Sequence, residues 1–64
     1  MKVRDLPIQR DRLVLIQKNN SEGEELFEGF WVNLTRECEE LEIKSISTCK
    51  RKYVENAYIL IYVK

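Results

Sequence analysis

The sequence contains no histidine. The commonest general base is therefore missing, and a Ser–His–Asp or Cys–His nucleophile cannot be assembled within one chain. Cysteine occurs twice, as Cys38 and Cys49. Two thiols without histidine fall short of the roughly four nitrogen or sulfur ligands that a zinc site needs, so no metal or other cofactor is expected. Glycine is limited to Gly23 and Gly29, and no glycine-rich phosphate loop exists. The longest apolar run, from Ala57 to Val63, is far shorter than the ~20 residues that span a bilayer. The opening residues, Met1-Lys2-Val3-Arg4-Asp5, lack the apolar stretch of a signal peptide. The expectation is a cytoplasmic protein without a membrane association, in which both thiols stay reduced.

What remains is a chain of 64 residues with 44% hydrophobic and 34% charged side chains. Folding a chain of this mass buries roughly 60% of its extended surface, the low end for a domain that stands alone. One small domain, residues 1–64, is the whole allowance. Two domains, a large active-site cleft and a dinucleotide-binding fold are all too big for it.

The net charge is zero, yet the charges are segregated. Residues 1–20 carry five cations against two acids, a net of +3. Residues 21–42 carry Arg36 against eight glutamates, a net of −7. Residues 43–64 carry five cations against Glu55, a net of +4. A uniformly basic footprint for nucleic acid is absent. An acidic middle lying beside basic ends would balance the field, and a two-faced surface would steer a charged partner.

Pro7 disfavours helix at Leu6 and removes a backbone donor. Residues 1–11 therefore read as an arm with room for a single turn at Val3–Leu6. Arg12–Gln17 predicts a strand apolar on both faces, the pattern of an internal strand. The segment Asn19–Gly23 reads as a turn, and Glu25–Val32 as a second strand with a bulge or a close backbone approach at Gly29. Thr35–Leu41 predicts a short helix capped by Thr35, with Leu34, Cys38 and Leu41 on one buried face. Glu42–Cys49 reads as a third, weaker strand, and Lys50–Asn56 as a loop or hairpin tip. Ala57–Val63 is the clearest strand and is again apolar on both faces.

These elements predict an α+β fold: a small, mainly antiparallel four-stranded sheet built as β-hairpin, short helix, β-hairpin over residues 12–63. Two helical turns cannot cover both faces of such a sheet. Either the sheet curls towards a barrel, or a second chain covers the open face. The aromatics Phe30, Trp31, Tyr58 and Tyr62 are the candidate anchors of a homodimer interface, because aromatic side chains dominate such contacts. A second candidate is the basic stretch Lys50, Arg51, Lys52 and Tyr53, in which three cations adjoin a ring that could stack on a base. The eight glutamates of the middle segment would repel phosphate, and the sequence disfavours nucleic acid as the partner.

The string Gly23-Glu24-Glu25-Leu26-Phe27-Glu28-Gly29, followed by Leu34, the acidic turn Glu37–Glu40, Leu41 and Ile43–Ile46, resembles small uncharacterised proteins encoded by phages and prophages of Gram-positive bacteria. The closing strand Ile59-Leu60-Ile61-Tyr62-Val63 fits the same pattern, so the resemblance spans residues 12–63. Thr35 stands where those proteins often have proline, and the Lys50–Tyr53 stretch lengthens the second tip. The resemblance brings no activity and no functional residue with it. It implies a phage or prophage origin and a bacterial host cytosol. The functional expectation is then a non-enzymatic protein that acts through protein–protein contacts, one version being an inhibitor of a host or defence protein. The alternatives are a nucleic-acid-binding module using Lys50–Tyr53, and a purely self-assembling structural protein.

Overall fold

A computed structural model describes residues 1–20, 22–50 and 57–64. Four strands form one sheet: β1 (Leu13–Lys18), β2 (Glu25–Phe30), β3 (Ile43–Cys49) and β4 (Tyr58–Val63), in the order β2-β1-β4-β3. The two hairpin partnerships, β1 with β2 and β3 with β4, are antiparallel as expected. The central pair, β1 with β4, is parallel, so the sheet is mixed. It is also open, with β2 and β3 as its edges, and does not close into a barrel.

The central placement of β1 and β4 follows from their being apolar on both faces. Each would expose one face's worth of backbone and side chain at an edge, so both go inside. With β1 and β4 adjacent, the chain must travel from the end of β2 to the start of β3 at the opposite end of the sheet. Parallel strands need a crossover of about a dozen residues or more. Residues 31–42 supply it, crossing one face only.

That first face carries Val14 and Ile16 from β1, Ile59, Ile61 and Val63 from β4, Phe27 from β2 and Ile43 from β3. Two irregular segments cover it. The crossover contributes Trp31, Leu34, Cys38 and Leu41; the N-terminal arm contributes Val3, Leu6 and Ile8. Val3, Ile16, Ile61 and Val63 are wholly excluded from solvent. The helix α1 is a single turn, Arg36–Glu39, shorter than its sequence pattern suggests. Thr35 caps it as expected, its hydroxyl accepting from the Cys38 amide at 3.3 Å, and Leu34, Cys38 and Leu41 all face the core.

The arm is tied to the crossover at both ends. The Val3 amide donates to the Leu41 carbonyl at 3.0 Å, and the Ile43 amide to the Met1 carbonyl at 2.9 Å. At the far end the Trp31 and Val32 amides donate to the carbonyls of Arg12 and Arg10 at 2.8 and 3.0 Å. Between these anchors the chain makes a 3₁₀ turn at Val3–Asp5, where a single turn was expected, and a tight three-residue turn centred on Pro7, the Ile8 amide donating to the Leu6 carbonyl at 2.9 Å.

Two details of β2 differ from the sequence reading. The strand ends at Phe30, and Trp31–Asn33 forms a 3₁₀ turn. The bulge sits at Leu26: Ile16 pairs with Phe27, and the next residue, Gln17, pairs with Glu25. Gly29 stays in register opposite Val14. Its φ of 156° favours glycine, and the Phe27 ring lies over it, 3.5 Å from where a Cβ would stand. In the β1–β2 turn, Gly23 takes φ 62°, and the Asn20 side chain accepts from the Glu22 and Gly23 amides.

Candidate functional site

The second face of the sheet is built by the alternate residues of the same strands. Leu13 lies opposite Phe30, and Leu15 lies between Glu28 and Leu60. Gln17 lies between Glu25 and Tyr62. On the far side Cys49, Ser47 and Ser45 stand opposite Tyr58, Leu60 and Tyr62. The apolar cluster here consists of Leu15, Tyr58 and Leu60, flanked by Leu13, Cys49 and Tyr62. All six are strand residues. Every described apolar residue outside the strands that joins either cluster joins the one on the first face.

The centre of the second face is nevertheless closed. Leu15, Leu60 and Tyr58 are 1%, 7% and 5% exposed. One cause is visible in the hydrogen bonding. The Tyr58 hydroxyl donates to Glu28 Oε2 at 3.0 Å. Tyr58 is on β4 and Glu28 on β2, so this bond passes over β1 and roofs the leucines beneath it. Tyr58 is thus a satisfied core tyrosine, its polar tip paired as buried phenols require.

The four aromatics expected to form one interface therefore separate. Phe30, Tyr58 and Tyr62 share the second face, but Tyr58 is buried and Tyr62 is half-buried. Trp31 packs against the first-face cluster. Neighbouring residues of an extended chain point to opposite faces, so Trp31, next to Phe30, falls on the covered side, and the 3₁₀ turn then begins at Trp31.

One corner of the sheet stays exposed. Phe30 is 47% and Val32 48% exposed, and with Arg10 and Asp11 they line a shallow apolar depression. The backbone pins described above hold Arg10 and Val32 together. Val32, Arg10 and Asp11 are the residues that sequence reading missed. For Val32 the signal is alternation, since it stands two residues after Phe30 and shares its side of the strand; for Arg10 and Asp11 there is none, because the backbone bonds that bring them here are long-range. Two further large apolar side chains are left in solvent, Ile46 in the middle of β3 at 49% and Met1 at 72%.

Of the alternative basic contact, Lys50 is exposed at the end of β3, while Arg51, Lys52 and Tyr53 lie outside the described residues. The clearest electrostatic feature is elsewhere. Glu40, at the end of α1, receives Lys2 Nζ at 2.8 Å and Arg4 Nη1 at 2.7 Å. The Lys2 hydrogen bond, with the charges of Arg4 and Lys2, holds its carboxyl below the ordinary value. This is a clamp between arm and crossover, exposed to solvent.

Cys38 is buried on the first face and Cys49 half-buried on the second, both as free thiols. The sheet lies between them. Among the described residues no group of three or more metal-ligating side chains converges, and no helix is long and apolar enough to cross a membrane. Comparison with protein-family models, curated proteins and solved structures finds no match to this chain.

Proposed function

We propose that this chain is a non-enzymatic binding module that acts through protein–protein contacts, with the Phe30–Val32 corner as its contact surface. The observation that carries the reading is the half-exposure of two apolar side chains that stand side by side, two of the four large apolar residues left exposed among the described residues. Apolar centres with a charged rim are the anatomy of protein interfaces, and Arg10 and Asp11 supply both signs of charge at the rim. The partner that fits is a protein surface presenting an apolar side chain flanked by an acid and a base. The likeness to phage and prophage proteins supports a host or defence protein as that partner, encountered in the host cytosol.

Affinity capture from nuclease-treated bacterial lysate tests this. A protein retained by the wild type and lost from Phe30→Ser/Val32→Ser, with an unchanged circular dichroism spectrum, is the expected result. Retention of the same protein by the double variant would overturn the assignment of the corner. Capture abolished by nuclease, with steep loss of binding as salt rises, would instead favour the nucleic-acid reading through Lys50.

A further inference from the structure

β3 is an edge strand, and among the described residues its outer side is occupied only at its start. There the Ile43 amide donates to Met1, and Lys2 bridges Glu42 in antiparallel sense. Beyond Ile43, no backbone bond from another described segment reaches that edge. The five residues from Lys44 to Thr48 are all exposed. They carry a single charge, and half-exposed Ile46 stands at their centre. An open, sparsely charged edge is a template for another strand. The ladder is regular from Ser45 to Cys49, its irregularity lying at Lys44.

The other edge is guarded. β2 carries Glu25 and Glu28 along six residues, a bulge at Leu26, and Gly29. Charges and bulges are the usual devices against edge pairing, and on β3 both are confined to Lys44 at its start. Two copies meeting through β2 would bring four carboxylates together.

We propose that β3 pairs antiparallel with β3 of a second copy, about a two-fold axis at Ile46, making one continuous sheet of eight strands. The pattern of the strand favours its own copy as occupant. Centring on Ile46 sets that side chain against its counterpart and buries both. Ser45 then faces Ser47, and Lys44, at the irregularity, lies beside Thr48 at either end of the contact, so no like charges meet. The symmetric span, residues 44–48, is the exposed stretch, and Met1 and Lys2 stop the pairing from extending past it. The contact is smaller than the roughly 1,200 Å² of a stable interface, so the dimer forms only at high concentration. This contact is separate from the Phe30–Val32 corner and does not depend on it.

Sedimentation equilibrium from micromolar to near-millimolar protein, with amide hydrogen exchange on the same samples, tests the pairing. The average mass should rise towards two chains, with added protection confined to residues 44–48. Ile46→Lys, which sets two ammonium groups face to face at an exposed position, should abolish both effects and leave the circular dichroism spectrum intact. Thr48→Glu should tighten association severalfold by placing a carboxylate beside Lys44 on each side of the axis. A mass that stays monomeric throughout overturns the proposal. So does a dimer that survives Ile46→Lys, is not tightened by Thr48→Glu, or is protected elsewhere.

Discussion

The two faces of this sheet start from the same sequence signal and are finished in different ways. β1 and β4 present apolar residues alternately to both sides. On the first face Ile16, Ile61 and Val63 are closed off by a separate layer, the arm and the crossover, which hydrogen-bond to each other at both ends. On the second face the described residues of the cluster all come from the strands, with Tyr58 reaching over β1 to Glu28. A face covered by a second layer depends on many residues far apart in sequence. A face roofed by its own side chains depends on a few bonds and can relax around a loss.

The largest test of this contrast is removal of the arm. Deleting residues 1–8 strips Val3, Leu6 and Ile8 from the first face, together with the Met1 and Val3 backbone bonds. The expected outcome is loss of cooperative thermal unfolding by circular dichroism. A truncated chain that still melts sharply would show that the crossover alone covers the face.

Next in size are matched core truncations. Ile16→Ala should cost ~2–5 kcal/mol in urea unfolding, towards the upper end because its site is packed between two layers. Leu15→Ala, one residue away on the other face, should fall at the lower end of the same range, since the side chains over it can close in. Equal costs would mean that the two faces are equally rigid.

Tyr58→Phe sharpens the comparison further. It removes the hydroxyl that bonds Glu28 and leaves the ring in place. A loss of about 1–3 kcal/mol is expected, as for hydrogen bonds to a charged acceptor. Hydrogen exchange should quicken at β1 and β2, with the arm unaffected.

The smallest effect is a pH dependence at the clamp. In the folded protein the Glu40 carboxyl is held below its ordinary value of 4.5, first by the Lys2 hydrogen bond and then by Arg4. A depressed folded-state value means that the stabilisation is complete above 4.5 and is lost as pH falls through the lowered value. Lys2→Met should flatten that part of the acid limb of the stability profile. An unchanged limb would remove Glu40 from the account.

Much of the fold is legible in the sequence because β1, β4, the Thr35 cap and the Leu34–Cys38–Leu41 face are set by local patterns. The parallel centre is not, because hairpin signals say which strands are neighbours in sequence and nothing about which hairpin strands meet. The arm was legible only as a proline-interrupted stretch, since its role depends on backbone bonds to residues 31–43. The site was half legible. Phe30 stood out as an aromatic of the second strand, but the bonds from the Trp31 and Val32 amides to Arg12 and Arg10, which bring the arm beside it, join residues about twenty apart. Tyr58 carried no sequence sign of its distant acceptor, Glu28, thirty residues away.

The two cysteines sit one on each face and report on the comparison directly. Thiol labelling of the native protein, followed by mass mapping of each site over time, should give two separate rates. Cys49, half-buried at the rim of the second face, should react quickly; Cys38, buried on the inner side of the crossover, should react only as the first face opens, with its rate rising in dilute urea. Equal rates for both thiols, or faster labelling of Cys38, would contradict the account of a first face sealed by a docked layer.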